Sequence, residues 1–324
     1  MVWIIPVGIA IGIGYLLSRD SEEEVEIVSH VSCHHLFERY VEEISLTSAQ
    51  EKKLDKCRRT LQDVIRASLY ERSNVSLKGF FIQGSKSPTF RTVIIKPDGT
   101  YDVDLGVFLT KKPDVSSRTV QTYLHKAVNQ HTKEGAKHME KCVRVVYSGA
   151  FNIDLTIYAL TGEDSAPLLA TKTMDWIPDD TRGVSNWFKR KKSETDSKQL
   201  VRVIKCLKRW CSELGYPTPN GFALTVWAAE KFDSVEGRDD IALFQTLLTI
   251  QGILSEEFFC EAPAEPNDNL VAKLKDPHKK RFEEDLAEFI NDAEEALAAE
   301  TVEEAAELWK KHLGDKFRYA ENER

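Results

Sequence analysis

Tyr101-Asp102-Val103-Asp104-Leu105-Gly106-Val107-Phe108-Leu109 alternates in residue type from end to end. A β-strand sends successive side chains to opposite faces. Tyr101, Val103, Leu105, Val107 and Leu109 therefore turn toward a core, and Asp102, Asp104, Gly106 and Phe108 share the other face. Two carboxylates side by side repel, and a divalent cation relieves that repulsion directly. The same alternation returns in Phe151-Asn152-Ile153-Asp154-Leu155-Thr156-Ile157-Tyr158. Here Phe151, Ile153, Leu155 and Ile157 are the apolar set, and Asp154 sits on the polar face, where a lone carboxylate needs a partner. Two such strands, if neighbours, join Asp154 to Asp102 and Asp104 in a three-carboxylate site. Its hard oxygen ligands suit Mg²⁺ or Mn²⁺. Two ions ~3.5–4 Å apart clamp an in-line displacement at phosphorus.

A D-x-D pair alone is common on solvated strands; its surroundings make it informative. Upstream, an apolar run over 77–83 ends at Gly84-Ser85. Glycine permits close backbone approach, and the following amides with the Ser85 hydroxyl can cradle phosphates. Before that run, Ser48-Ala49-Gln50-Glu51 fits a capping box, and Leu54, Leu61, Val64, Ile65 and Leu69 recur at helical spacing. The spacing predicts a long helix of about six turns to about Tyr70. Thr92–Ile95 and 101–109 read as strands around the turn Pro97-Asp98-Gly99. Residues 115–138 read as helical. Residues 142–147 and 150–160 read as a strand pair joined at Ser148-Gly149. From about Ser185 onward helices dominate: 200–214, 222–232, 241–253, and a charged, Ala-rich stretch over 276–312 ending on Trp309 and Phe317. No internal repeat interrupts this order.

Basic residues supply a second element. Arg202, Lys205, Lys208 and Arg209 share roughly one helix face, opposite Val203, Leu207 and Trp210, and such a face neutralises a triphosphate. Lys189-Arg190-Lys191-Lys192 reads as an exposed loop or helix edge. His34-His35 lacks nearby cysteine partners for a metal site, and His131 and His138 read as solvent-titrating residues of a polar helix. The whole chain carries 44 Lys and Arg against 52 Asp and Glu, a net charge of −8, which excludes a general polyanion binder but leaves room for a local basic pocket. Its six cysteines include no C-x-x-C pair, which argues against a zinc ribbon or a dense disulfide framework. Residues 1–17, MVWIIPVGIAIGIGYLL, carry no charge. As a helix they span about 25 Å, slightly short of a ~30 Å hydrocarbon core. They read as a membrane anchor over 1–18, tethering a cytoplasmic body to the inner membrane, with an apolar segment tucked into the fold or a partner and a secretory signal as the alternatives, followed by a linker and the start of the N-terminal lobe over 19–45.

The set Phe81-Ile82-Gln83-Gly84-Ser85, Asp102-Val103-Asp104 and Asp154 resembles the DNA polymerase β-like nucleotidyltransferases. With Trp187-Phe188-Lys189, Leu207-Lys208-Arg209-Trp210 and Gly221-Phe222-Ala223-Leu224-Thr225, the chain over about 30–320 is similar to the bacterial cGAS/DncV-like (CD-NTase) enzymes of antiphage signalling. The resemblance implies an α+β, two-lobed fold with a mixed sheet and a long spine helix, a catalytic core over 46–180 and a C-terminal helical lobe over 181–324. It implies joining of nucleoside triphosphates, ATP among them, into a cyclic di- or trinucleotide that activates a separate effector. It implies metal binding by Asp102 and Asp104, with Asp154 completing the set and helping the 3′-hydroxyl attack. Gly84, Ser85, Lys205 and Lys208 would then hold the donor triphosphate. Two positions depart from the pattern: Pro88 precedes a displaced Thr89, and Asn220 stands where a serine commonly precedes Gly221. The zinc-binding insertion of the animal enzymes is absent, so no stable DNA partner is expected. The neighbouring readings are a transferase that makes linear oligonucleotides or tails RNA, and a membrane-tethered, inactive nucleotide sensor.

Overall fold

The computed structural model describes residues 2–5, 25–28, 31–73, 76–162 and 165–319. The chain divides into two units. One comprises Ser45–Lys189 with Pro263–Glu265, and the other Met1–Ile44, Arg190–Ala262 and Pro266–Arg324.

The first unit is built on the two alternating strands. Tyr101–Leu109 and Phe151–Ala159 pair in parallel, and Leu77–Gln83 runs antiparallel to Tyr101–Leu109 on the outer side. Val143–Tyr147 and then Ala136–His138 extend the sheet beyond Phe151–Ala159. The far end of Phe151–Ala159 also pairs with Leu168–Ala170, which pairs in turn with Trp176–Pro178. A parallel pair needs a long crossover. Here the connection holds the Ser117–Val128 helix and the two outer strands. The odd-numbered residues of both central strands are buried against Leu54, Leu61, Ile65 and Leu69 of the Ser48–Ser73 helix, and against Val120, Leu124 and Val128. Each large apolar side chain buried in this way stabilises by about 1.5–3 kcal/mol, so the apolar face anchors both acid-bearing strands in one register.

Local chemistry moved several expected boundaries. The long helix is capped one residue earlier than the capping-box pattern suggests: the Thr47 hydroxyl accepts from the Gln50 N–H (3.2 Å), and Gln50 Oε1 accepts from the Thr47 N–H (2.9 Å). Residues 92–95 form no strand, because the N–H groups of Thr92 and Val93 both donate to the Ser85 carbonyl. The stretch read as one helix over 115–138 ends at Val128, and Gly135, at φ +70°, leads into the edge strand Ala136–His138. His138 therefore lies on a strand and bonds Gln121 (2.8 Å), while His131 bonds the Tyr147 hydroxyl (3.1 Å). Burial pushes both imidazoles below their ordinary pKa.

The second unit is helical, with helices at His34–Glu43, Ser197–Glu213, Gly221–Glu230, Asp239–Glu256, Asp276–Ala298 and Val302–Leu313. The charged tail is split in two by Thr301, which caps the last helix in a reciprocal box with Glu304. Trp309 and Phe317 dock as the sequence suggests, both packing edge-on against Phe37 of the His34–Glu43 helix. Among the described residues no helix is long and apolar enough to cross a membrane. Most of the expected anchor, residues 6–17, lies outside the described residues; Val2–Ile5 is a strand paired antiparallel with Val25–Val28.

Candidate active site

The strand registers assemble the site. Gln83 lies opposite Asp104, Asp104 opposite Asp154, and Asp154 opposite Arg144, so one row crosses four strands. Neighbouring strands stand about 4.8 Å apart, which places the Asp104 and Asp154 carboxylates on one face as immediate neighbours. The next row on that face holds Asp102 opposite Asn152. The three carboxylates expected from sequence thus share one face of two adjacent strands. Farther along, Phe81, Gly106 and Thr156 form a row, followed by Gly79, Phe108 and Tyr158.

Glycines decide how close the rows come. Gly84 begins a short 3-10 turn over Gly84–Lys86 at φ +57°. A Cβ built there would lie 2.1 Å from Asp104 Oδ2, a contact that only glycine avoids. The turn is fixed from below by the Ser85 carbonyl, which accepts from Thr92 (2.8 Å) and Val93 (3.1 Å), and from the side by a Lys86–Glu51 ion pair. The Gly84-Ser85 turn and the D-x-D pair are therefore in contact. At Gly106 a Cβ would meet the Phe108 ring at 2.6 Å and the Gln83 side chain at 2.9 Å. Its absence lets Gln83 reach Thr156, whose hydroxyl donates to Gln83 Oε1 (3.0 Å). Phe108 stacks on Tyr158, and the Tyr158 hydroxyl donates to Asp179 (2.8 Å).

The carboxylates are individually compensated. Arg144 grips Asp154 in a two-pronged pair, Nε to Oδ1 and Nη2 to Oδ2, both at 2.7 Å. This bond, outweighing burial, raises the guanidinium pKa above its ordinary value. Asp102 receives Asn152 Nδ2 (2.8 Å) on one oxygen and the Lys96 ammonium on the other. Burial acts to raise the Asp102 carboxyl, but the Lys96 and Asn152 hydrogen bonds and the Lys96 and Arg144 charges outweigh it, leaving its pKa below the ordinary carboxylate value. Cys142, one residue before the Val143–Tyr147 strand, is pushed up to about 12 by burial and then by the Asp154 and Asp104 charges. Among the described residues no three His, Cys, Asp or Glu side chains are already gathered as a metal cage. The donor set nonetheless fits a hard divalent ion, with three carboxylates on one sheet face beside a turn whose glycine lets the backbone approach Asp104 closely.

Sequence reasoning missed Arg144, Lys96 and Asn152. Arg144 was findable by counting. The hairpin turn at Ser148-Gly149, with Tyr147 opposite Phe151, places residue 144 opposite residue 154.

Lys205 and Lys208 stand on the Ser197–Glu213 helix of the second unit. The Lys208 stem passes over Gly221, where a Cβ would sit 3.2 Å from Lys208 Cε. Asn220, standing before that glycine, caps the Gly221–Glu230 helix by accepting from the Phe222 and Ala223 N–H groups (both 2.9 Å). The expected four-residue basic face is corrected. Arg202 pairs with buried Asp239 and so ties two helices of the unit together, and buried Arg209 pairs with Glu213 one turn along its own helix (2.8 Å). Lys191 likewise ends the Thr181–Ser193 helix in an ion pair with Glu230 (2.7 Å).

Residues 78–158, which contain Gly84, Ser85 and all three carboxylates, match the family described as cyclic GMP-AMP synthase DncV-like, nucleotidyltransferase domain. That segment is a DncV-like nucleotidyltransferase domain. The fold extends the likeness across most of the chain. The apo form of Vibrio cholerae DncV superposes with a TM-score of 0.75 at 15% identity, over 89% of this chain and 96% of that one. The same V. cholerae enzyme, described as a cyclic AMP-GMP synthase in complex with the linear intermediate 5′-pppA(3′,5′)pG, gives 0.77 at 14% identity, over 90% and 98%. Escherichia coli DncV with 3′-deoxy GTP gives 0.70 at 17% identity, over 85% and 93%. At these identities the likeness establishes the fold alone, the mixed α+β fold of DncV, as the sequence led us to expect.

Proposed function

We propose that this nucleotidyltransferase joins nucleoside triphosphates into a cyclic di- or trinucleotide, releasing pyrophosphate, and that the product activates a separate effector in antiphage defence. The observation that carries the reading is the pairing of Asp104 with Asp154, with Asp102 one step along the same face and Gly84 in contact with Asp104. In this reading Asp102, Asp104 and Asp154 hold Mg²⁺ or Mn²⁺. Such ions supply charge neutralisation at the attacking and leaving oxygens of phosphoryl transfer. The Gly84-Ser85 turn presents backbone amides and a hydroxyl to the donor triphosphate. Lys205 and Lys208 carry the remaining phosphate contacts. Asp154 would orient a ribose hydroxyl. The reading draws support from V. cholerae DncV, a cyclic AMP-GMP synthase crystallised with a linear intermediate.

The test is incubation of the full chain with all four nucleoside triphosphates and Mg²⁺ or Mn²⁺, followed by mass spectrometry after phosphatase treatment. A phosphatase-resistant cyclic product is expected. Linear products bearing a terminal triphosphate would replace the cyclising step with chain extension, and nucleotide binding without pyrophosphate release would indicate a sensor. The Asp102→Ala, Asp104→Ala double variant should stop pyrophosphate release with the fold retained, since the apolar face of the strand that carries both residues stays packed; continued turnover would disprove the site. Residues 1–17 are proposed as a membrane tether, and deletion of 1–18 should move the protein from the membrane to the soluble fraction with chemistry unchanged. Unchanged fractionation would refute the tether.

A further inference from the structure

Both carboxylate oxygens of Asp102 and both of Asp154 are already occupied. Asp102 receives Lys96 and Asn152, and Asp154 receives two nitrogens of Arg144. Lys96 is carried by a tight turn, closed by the Lys96 N–H to the Thr100 carbonyl (2.8 Å) and the Gly99 N–H to the Lys96 carbonyl (2.9 Å), which folds it back over the start of the acidic strand. Arg144 is register-paired with Asp154 in the sheet, so the hairpin itself delivers the guanidinium to the carboxylate. An isolated exposed ion pair contributes little, but Asp154 is buried and its pairing is bidentate, the geometry in which such pairs are strong.

We propose that Lys96 and Arg144 are place-holding cations. In the metal-free chain each occupies carboxylate oxygens that a divalent ion takes on loading, and each thereby holds down the affinity of the empty site for free metal. The proposal rests on the reading of the acidic rows as a metal site. A lysine ammonium or an arginine guanidinium offers no lone pair to a metal, so neither can become a ligand; each competes both for the oxygen and through its charge. Loading either moves them off the carboxylates or leaves each on an oxygen's second lone pair, where its charge repels the metal, and a metal that arrives with the anionic phosphates of a nucleotide brings the counter-charge that makes loading favourable. The chain would then resist loading by free metal and accept it together with substrate. Removing a place-holder should therefore tighten metal binding, the reverse of what loss of an ordinary supporting residue does.

The experiment titrates Mn²⁺ into the full chain without nucleotide and reads free Mn²⁺ by electron paramagnetic resonance, a measurement independent of turnover. Lys96→Met should bind Mn²⁺ about tenfold tighter than the parent, given the repulsion between a nearby unit charge and a divalent ion. Lys96→Arg should retain the parent affinity. Arg144→Gln should shift in the same direction as Lys96→Met, and Asp104→Asn should lose the site. A non-hydrolysable nucleoside triphosphate should narrow the gap between Lys96→Met and the parent. Unchanged or weakened binding in Lys96→Met overturns the proposal while leaving the metal site standing. Equal Mn²⁺ binding by the parent and Asp104→Asn, or no binding by any form, overturns both. If Arg144→Gln loses its circular dichroism signal, the two Lys96 variants decide alone.

Discussion

Replacing Gly84 by alanine separates two roles that this glycine combines. Its φ of +57° is left-handed, and an L-residue there is strained by about 1–2 kcal/mol. For a unit of this size that corresponds to a melting point lower by about 2–8 °C. The second role is contact. A Cβ at position 84 would lie 2.1 Å from Asp104 Oδ2, more than an ångström inside ordinary carbon–oxygen separation. The turn is fixed through Ser85, and the Gly84 carbonyl accepts the Ser87 N–H, so the carboxylate must yield. A displacement of about 1 Å at a reacting group costs about 100-fold in rate. Gly99 is the internal control: it too is left-handed, at φ +81°, but a Cβ there meets nothing within 4 Å. Gly84→Ala and Gly99→Ala should lower the melting point similarly, by differential scanning calorimetry. Only Gly84→Ala should lower pyrophosphate release, by about two orders of magnitude. Equal rates for the two variants would refute the argument that Gly84 exists to leave Asp104 in place.

Further expectations follow from neighbouring positions. Gly106→Ala pushes a methyl group into the Phe108 ring and the Gln83 side chain and should destabilise by about 1–3 kcal/mol, read as a lower urea midpoint; an unchanged midpoint would show that these side chains repack freely. The Cys142 thiol, pushed up to about 12, should resist iodoacetamide at pH 8 in the native chain and react after unfolding, since the thiolate is the nucleophile. Rapid native labelling would contradict the raised thiol pKa. The lowered Asp102 carboxyl contributes stability that is complete above the ordinary carboxylate pKa of about 3.9 and is lost as pH falls through the lower folded value. In metal-free buffer the parent should therefore exceed Lys96→Met in urea midpoint above about pH 5, with the gap closing toward pH 2. A gap that persists at pH 2 would assign the difference to packing.

What could be read from sequence, and what could not, divides along a physical line. Alternation within a strand fixes which side chains share a face, so Asp102, Asp104 and Asp154 were legible, as was the core side of both strands. Periodicity on the Ser197–Glu213 helix likewise showed that Arg202 and Arg209 are set apart from the apolar stripe. It could not show the partner of Arg202: Asp239 lies 37 residues downstream, and only tertiary packing brings the two together. The Thr92–Ile95 stretch has strand-like composition, but a carbonyl from the Gly84-Ser85 turn takes its amides first. The capping pattern was ambiguous by one residue because Thr47 and Ser48 both cap well and Gln50 and Glu51 both close a box.

The cross-strand row Gln83–Asp104–Asp154–Arg144 has a consequence for how the chain folds. Slipping either central strand by a single position would exchange its two faces and drive aspartates in among Leu54, Leu61 and Ile65. A misaligned sheet would thus be penalised by the same side chains that serve chemistry in the aligned one. The acidic residues proofread the assembly of the domain that later uses them, and neutralising them for a biochemical experiment should also loosen that safeguard during folding.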